Sequence, residues 1–178
     1  MLTVPMTSGP SVSSYLRHLG GSVTLASFNA APEPEAVAAM LACCASHRFA
    51  TAMTAGRPYP SPTAAESAVA TVFESLTWPD VLEAMDAHPR IGARVSGQSA
   101  AEQSGVADDS RAALQAGNAA YEERFGHVFL ICATGLSGAR MLTALEQRLE
   151  NDEISERAAA TIELRKITVL RVRKALAE

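Results

Sequence analysis

The stretch DDSRAALQAGNAAYEERFGHVFLIC, residues 108–132, holds the pattern that decides the fold. Asp108 to Ser110 supply side-chain oxygens able to cap the unpaired N–H groups at a helix start. Phe125 is followed by Gly126, the residue type that closes a helix in a left-handed turn. Phe129 to Cys132 is then continuously apolar, too short for a separate helix and bounded by Gly126 and Gly135. This spacing predicts a helix to Phe125 and, after it, an extended buried segment near 128–133.

Downstream, Ser137 caps a helix whose Met141, Leu142, Leu145 and Leu149 face the core, ending near Asn151. A last helix is expected from Asp152 to Ala177, with Ile154, Ala158, Ile162, Ile167 and Leu170 inward and Glu153 paired to Arg157 outside. Upstream, the apolar spacing predicts a helix from Pro34 to Ser46 and a short one from His47 to Ala55, broken by Gly56 and the Pro58 to Pro60 stretch. Ser61 and Pro62 read as N-cap and first helical position, and Val69, Val72, Phe73 and Leu76 follow at helical spacing. Thr77 restarts the pattern for a helix carrying Val81, Leu82 and Met85, which ends at Ala87 or His88 because Pro89 disfavours helical geometry before it. Residues 90–109 read as a loop with one turn of helix from Ser99 to Ser104. Residues 1–22, rich in Pro, Gly and Ser, read as a flexible lead-in, leaving 23–178 as the domain. The fold class is therefore all-α, a single-domain bundle of about eight helices with one short extended segment.

Composition agrees. Of 178 residues, 48% are hydrophobic and only 5% aromatic, a balance suited to packed helices. The formal charge of −4 disfavours nucleic acid as a partner, and the basic residues of the tail alternate with apolar ones as on a solvated helix face. Three cysteines, two of them adjacent, suit a reducing compartment, so a cytoplasmic location is expected. No stretch of about 18 apolar residues offers a membrane span.

Four places carry candidate chemistry. In His88-Pro89-Arg90-Ile91-Gly92 a histidine at a helix end is fixed by the following proline; it reads either as a capping residue or as a general acid–base group, since imidazole titrates near neutrality. Ser99-Ala100-Ala101-Glu102-Gln103 reads either as a capping box or as polar groups placed for a ligand. Phe129 to Ala133 is either plain core or a backbone able to offer N–H and C=O groups to a planar amide. Arg171, one turn after Ile167, is either solvent-facing or an inward fork for a carboxylate. Cys43, Cys44, His47, His88, His127 and Cys132 have no spacing typical of a metal site, and each cysteine lies in an apolar run unfavourable to a nucleophilic thiolate.

Taken together, His88-Pro89-Arg90-Ile91-Gly92, Ser99-x-x-Glu102-Gln103, Asn118-x-x-Tyr121-x-x-Arg124-Phe125-Gly126, Phe129-Leu130-Ile131-Cys132 and Lys166-Ile167-x-x-Leu170-Arg171 resemble the family of OHCU decarboxylases, which act on 2-oxo-4-hydroxy-4-carboxy-5-ureidoimidazoline. Phe28-Asn29, Arg57-Pro58-Tyr59 and Arg148-Leu149-x-Asn151 extend the resemblance over about residues 25–175. It implies an all-helical domain and a decarboxylation giving (S)-allantoin in uric acid degradation, with no cofactor and no metal. By motif position it implies His88 as the catalytic histidine, and Pro89, Ser99, Glu102, Gln103 and Arg171 with the backbone around Phe129, Ile131 and Ala133 as substrate contacts; Glu102 is further read as a catalytic group that orients the hydroxyl, the histidine or the ureido N–H groups. Members often pair, which makes a homodimer a candidate assembly. His127-Val128 departs from the Phe-Pro that many members carry after Phe-Gly. Two other classes stand beside this reading: a non-catalytic helical ureide-binding module, which the intact His88, Glu102 and Arg171 argue against, and a metal-dependent ureide hydrolase.

Overall fold

The computed structural model describes residues 24–92 and 108–177. Within them lie eight helices and no strand: α1 Leu25–Ala30, α2 Glu33–Cys43, α3 His47–Ala55, α4 Pro62–Glu74, α5 Trp78–Asp86, α6 Asp108–Phe125, α7 Gly138–Leu149 and α8 Glu153–Ala175. The all-α expectation is borne out. The lead-in of residues 1–22 and the turn expected at 99–104, with Ser99, Glu102 and Gln103, lie outside the described residues.

Side-chain caps start the helices where the sequence placed them. Ser46, Ser61, Ser137 and Asp152 accept from the N–H groups of Phe49, Ala64, Arg140 and Ser155, and Thr77 and Asp80 form a capping box at α5. Gly126, at φ 72°, closes α6. The first long helix ends earlier than expected, at Cys43, because Ser46 adopts extended geometry to cap α3 and cannot also continue α2.

Two apolar clusters form the core. The larger joins α1 to α5 with α8, around Phe28, Met40, Phe49, Met53, Phe73, Met85 and Leu164. The smaller joins α6 and α7 around Leu114, Tyr121, Met141 and Leu145. Between them runs the segment 128–133, which is neither helix nor strand. Phe129, Ile131 and Ala133 pack into the smaller cluster, whereas Val128, Leu130 and Cys132 pack against the larger. That strict alternation is the two-residue period of extended backbone, so the sequence-based expectation for this stretch holds.

The buried stripe of α8 differs from the expected one. Ile154 is 82% exposed, and Ala158, Ile162 and Leu170 are also exposed. The buried positions are Glu156, Ala160, Leu164, Ile167, Thr168 and Val172. Only Ile167 belongs to both sets, because the stripe begins on a charged residue that apolar periodicity passes over.

Glu156 is wholly buried and fully engaged. Its Oε1 accepts from Arg148, whose Nε lies 2.8 Å away and whose Nη2 also donates, and from the Tyr121 hydroxyl. Its Oε2 accepts from Asn151 Nδ2 at 2.8 Å. The remaining arm of Arg148, Nη1, donates to the Leu130 carbonyl at 2.6 Å, and the guanidinium stacks 5.0 Å from the Phe129 ring. Burial, followed by the bond to Glu156, pushes the Tyr121 hydroxyl well above its usual range, so it remains a donor. This network ties α6, α7 and α8 to the extended segment.

At the other end, Arg57 donates to the carbonyls of Phe28 and Ala31 at 2.6 and 2.8 Å. Asn29 and Tyr59 exchange backbone and side-chain bonds at 2.8 and 3.0 Å. Phe28-Asn29 and Arg57-Pro58-Tyr59 are thus a structural clamp between α1 and the α3–α4 connection.

Removing one partner of a buried ion pair leaves a desolvated charge, which costs about 3–5 kcal/mol. Glu156→Ala should lower unfolding stability by that amount in urea titration, and Tyr121→Phe by about 1 kcal/mol. A Glu156→Ala loss below about 1 kcal/mol would show that water reaches Arg148.

Candidate active site

An open cleft lies between the end of α5, the segment 130–134 and α8. His88, Pro89, Ile91, Ile131, Ala133 and Ile167 are among its walls. Of the side chains singled out in the sequence, His88, Pro89, Ile131 and Ala133 meet here. Phe129 is buried beside them in the smaller core cluster.

The geometry of His88 follows from how α5 ends. Ala87 is the C-cap, the His88 N–H donates to the Met85 carbonyl at 2.9 Å, and Pro89 stops the helix. The buried imidazole sets Nδ1 2.9 Å from the Ala84 carbonyl. A carbonyl only accepts, so Nδ1 carries the hydrogen and, in the neutral ring, Nε2 is the basic nitrogen.

The turn after His88 is strapped to α6. Asn118 Nδ2 donates to the Ile91 carbonyl at 2.8 Å, Arg111 Nη1 to the Gly92 carbonyl at 2.8 Å, and Arg90 forms a two-pronged pair with Glu122 at 2.6 and 2.7 Å. The Arg90 bonds hold the Glu122 carboxyl below its usual range. Gly92 sits at φ 81°, a backbone conformation that residues with a Cβ rarely adopt, which accounts for glycine at this turn. The turn that follows the histidine is thus tied to α6 through the Arg90 side chain and the Ile91 and Gly92 carbonyls.

The extended segment presents two edges. Along one, the Leu130 carbonyl takes Arg148 Nη1 and the Cys132 N–H donates to Glu163 Oε2 at 2.8 Å. In extended backbone the N–H and C=O of a residue point to one edge and those of its neighbours to the other. The opposite edge therefore carries the Phe129 carbonyl, both backbone groups of Ile131 and the Ala133 N–H. Among the described residues these four groups have no hydrogen-bonding partner.

Arg171 follows the cleft-lining Leu170 on α8 and is half-buried. Its charge reaches the thiols of Cys43 and Cys44 and opposes the larger effect of burial, which pushes Cys43 up to about 12 and also raises Cys44. His127, where the motif departs from the resemblance, lies outside the cleft wall. It packs 5.2 Å from the Trp78 ring and 5.4 Å from that of Tyr121. Among the described residues no cluster of three His, Cys, Asp or Glu is arranged to hold a metal ion, and no helix is long and apolar enough to cross a membrane.

Sequence reasoning missed Glu163, Glu156 and Glu122 as parts of this architecture, and gave Asn118 a place in a motif but no role. A signal for Glu156 was present, since stepping back four residues from Ala160 lands on it.

The model of the family described as OHCU decarboxylase matches residues 29–173. The chain belongs to this family. It is 40% identical over 144 residues to the "Uric acid degradation bifunctional protein TTL" of Arabidopsis thaliana, covering 74% of this chain and 44% of that protein, so it spans less than half the length of this relative. It is 30% identical over 134 residues to the 2-oxo-4-hydroxy-4-carboxy-5-ureidoimidazoline decarboxylase of Amia calva, covering 69% of this chain and 77% of the relative. A crystal structure of an OHCU decarboxylase in the presence of (S)-allantoin superposes with a TM-score of 0.72 at 33% identity, over 83% of this chain and all of that one.

The thiol environments predict an order of reactivity. Iodoacetamide on the native protein at pH 8 should label Cys132, partly exposed in the cleft, well before Cys43 and Cys44, whose burial keeps them protonated. Peptide mass spectrometry reads the order, and equal labelling of Cys43 would contradict the core packing described.

Proposed function

We propose that this chain decarboxylates 2-oxo-4-hydroxy-4-carboxy-5-ureidoimidazoline to (S)-allantoin in uric acid degradation, with His88 and Glu102 as catalytic groups and no cofactor. The observation that carries the reading is the buried His88, locked by Ala84 into the tautomer whose basic nitrogen is Nε2. It stands in a cleft walled by backbone suited to planar amides.

The substrate carries a carboxylate and a hydroxyl on one ring carbon, beside a carbon–nitrogen double bond. When the bond to the carboxylate breaks, its electron pair forms a double bond to the neighbouring carbon and the C=N pair moves onto nitrogen, which takes a proton. Carbon dioxide leaves. His88 then receives the hydroxyl proton as the enol collapses to a carbonyl, and protonation of the neighbouring carbon from one face completes (S)-allantoin. The substrate is its own electron sink, so the protein's task is to hold the ring and manage protons.

Glu102 orients the hydroxyl and the histidine. Ser99 and Gln103 hydrogen-bond ring and ureido amides, Pro89 walls the ring, and the edge formed by Phe129, Ile131 and Ala133 completes its recognition. Arg171 binds a substrate carbonyl in preference to the departing carboxylate, since a clamp on charge that is lost in the transition state would slow the reaction. The unit that does this is the domain from residue 23 onward, working in the cytoplasm as a homodimer, and its three cysteines without disulfide bonds suit that compartment.

General acid–base catalysis contributes about 10² to 10⁴ in rate. With substrate generated in place by urate oxidase and hydroxyisourate hydrolase, His88→Asn should lower kcat by that order with KM nearly unchanged. Arg171→Lys keeps the charge but not the planar fork, and its deficit should appear in kcat/KM at low substrate. Full activity of His88→Asn would sink the reading.

A further inference from the structure

The residues gripping the outer edge of the extended segment carry full charges, and each grips the far end of a peptide unit whose near end belongs to Ile131. Arg148, a cation, donates to the Leu130 carbonyl; that carbonyl and the Ile131 N–H are the two ends of one peptide. Glu163, an anion, accepts from the Cys132 N–H; that N–H and the Ile131 carbonyl are the two ends of the next. A hydrogen bond at one end of an amide polarises the other, and the effect is larger when the partner is charged and the surroundings are of low dielectric. Arg148 has only 11% of its side chain exposed, and Glu163 has 16%.

The two grips act in complementary senses. A cation on the Leu130 oxygen draws density from the Ile131 nitrogen and makes its N–H a stronger donor. An anion on the Cys132 N–H pushes density into the Ile131 carbonyl and makes it a stronger acceptor. Both groups of Ile131 sit on the edge without described partners, in a residue that lines the cleft. Lys166 Nζ, 2.6 Å from Glu163 Oε1, partly offsets the anion and sets its strength.

We propose that Glu163 and Arg148 are specificity-determining positioning residues: through the peptides of Cys132 and Leu130 they fix and polarise Ile131 as an adjacent donor and acceptor for a ligand edge that presents a carbonyl beside an N–H, as a cyclic ureide does. This deepens the proposed function and rests on it. Neither side chain touches the ligand. An imidazolone or hydantoin ring offering C=O next to N–H matches the pair, whereas a ring alkylated at that nitrogen does not.

Arg148 also neutralises Glu156, so its loss risks the fold, and Glu163→Gln is the sharper variant. It keeps size and an acceptor for the Cys132 N–H and removes only the charge. Ile131-Cys132 is the sole Ile-Cys pair in the sequence, so labelling Ile at the carbonyl carbon with ¹³C and Cys with ¹⁵N isolates one peptide in an NMR spectrum. With fold verified by circular dichroism, Glu163→Gln should shift the Ile131 carbonyl resonance. It should also raise KM about threefold to tenfold, the worth of part of one hydrogen bond, with kcat within twofold. Lys166→Met, which unmasks Glu163, should move the same resonance the opposite way. A purely structural Glu163 would give no such reversal. If the wild-type chain forms no allantoin, the functional reading fails. If it does, but KM stays within twofold in Glu163→Gln or the resonance moves the same way in both variants, the roles assigned to Glu163 and Arg148 are wrong.

Discussion

The contact on which the rest depends is the buried pair of Arg148 and Glu156. Two ions taken out of water cost several kcal/mol each, and a bare pair recovers little of that. Here the deficit is offset by saturation. Glu156 accepts from Arg148, Tyr121 and Asn151, and Arg148 spends its remaining arm on the Leu130 carbonyl. The pair therefore does more to fix arrangement than to add stability. Three helices and an extended segment meet at one point, and the satisfied hydrogen bonds allow one register among them.

That register builds the cleft. A helical bundle satisfies its backbone within each helix and has little main chain to offer a ligand. Segment 128–133 breaks this rule by running extended between two apolar clusters, with charged side chains holding one edge and the other left to the cleft. His88 approaches from the end of α5, and its turn is held by Asn118, Arg111 and Glu122 of α6. The same α6 carries Tyr121 into the ion-pair network. His88 and the extended segment thus share one support in α6.

Local rules made much of this legible in the sequence. Ser61, Thr77, Ser137 and Asp152 start helices because a side-chain oxygen beside an apolar period has few better uses, and Gly126 ends one for lack of a Cβ. The four-residue apolar run after it was too short for a helix and too apolar for a surface loop. The stripe of α8 was misread because Glu156 looks like a solvated residue until Arg148, Tyr121 and Asn151 are brought to it from elsewhere. Ile154, apolar yet 82% exposed, is the matching decoy. His88, Ile131 and Ala133 could be named as a site only as members of a pattern, since singly each is an ordinary cap or core residue. What holds them depends on contacts between residues some 20 to 35 positions apart, which no local period encodes.

In the proposed function, a fixed imidazole and a polarised backbone edge turn a reaction that runs by itself into one of single handedness. Spontaneous decay of the ureidoimidazoline gives racemic allantoin, so handedness reports the protein and not the clock. The most direct test follows the circular dichroism of allantoin accumulating from urate, urate oxidase and hydroxyisourate hydrolase, with and without the wild-type chain. A rapid rise of the (S)-allantoin signal is expected only when the chain is present. Product that accumulates no faster than in its absence, or with no net dichroism, would contradict it.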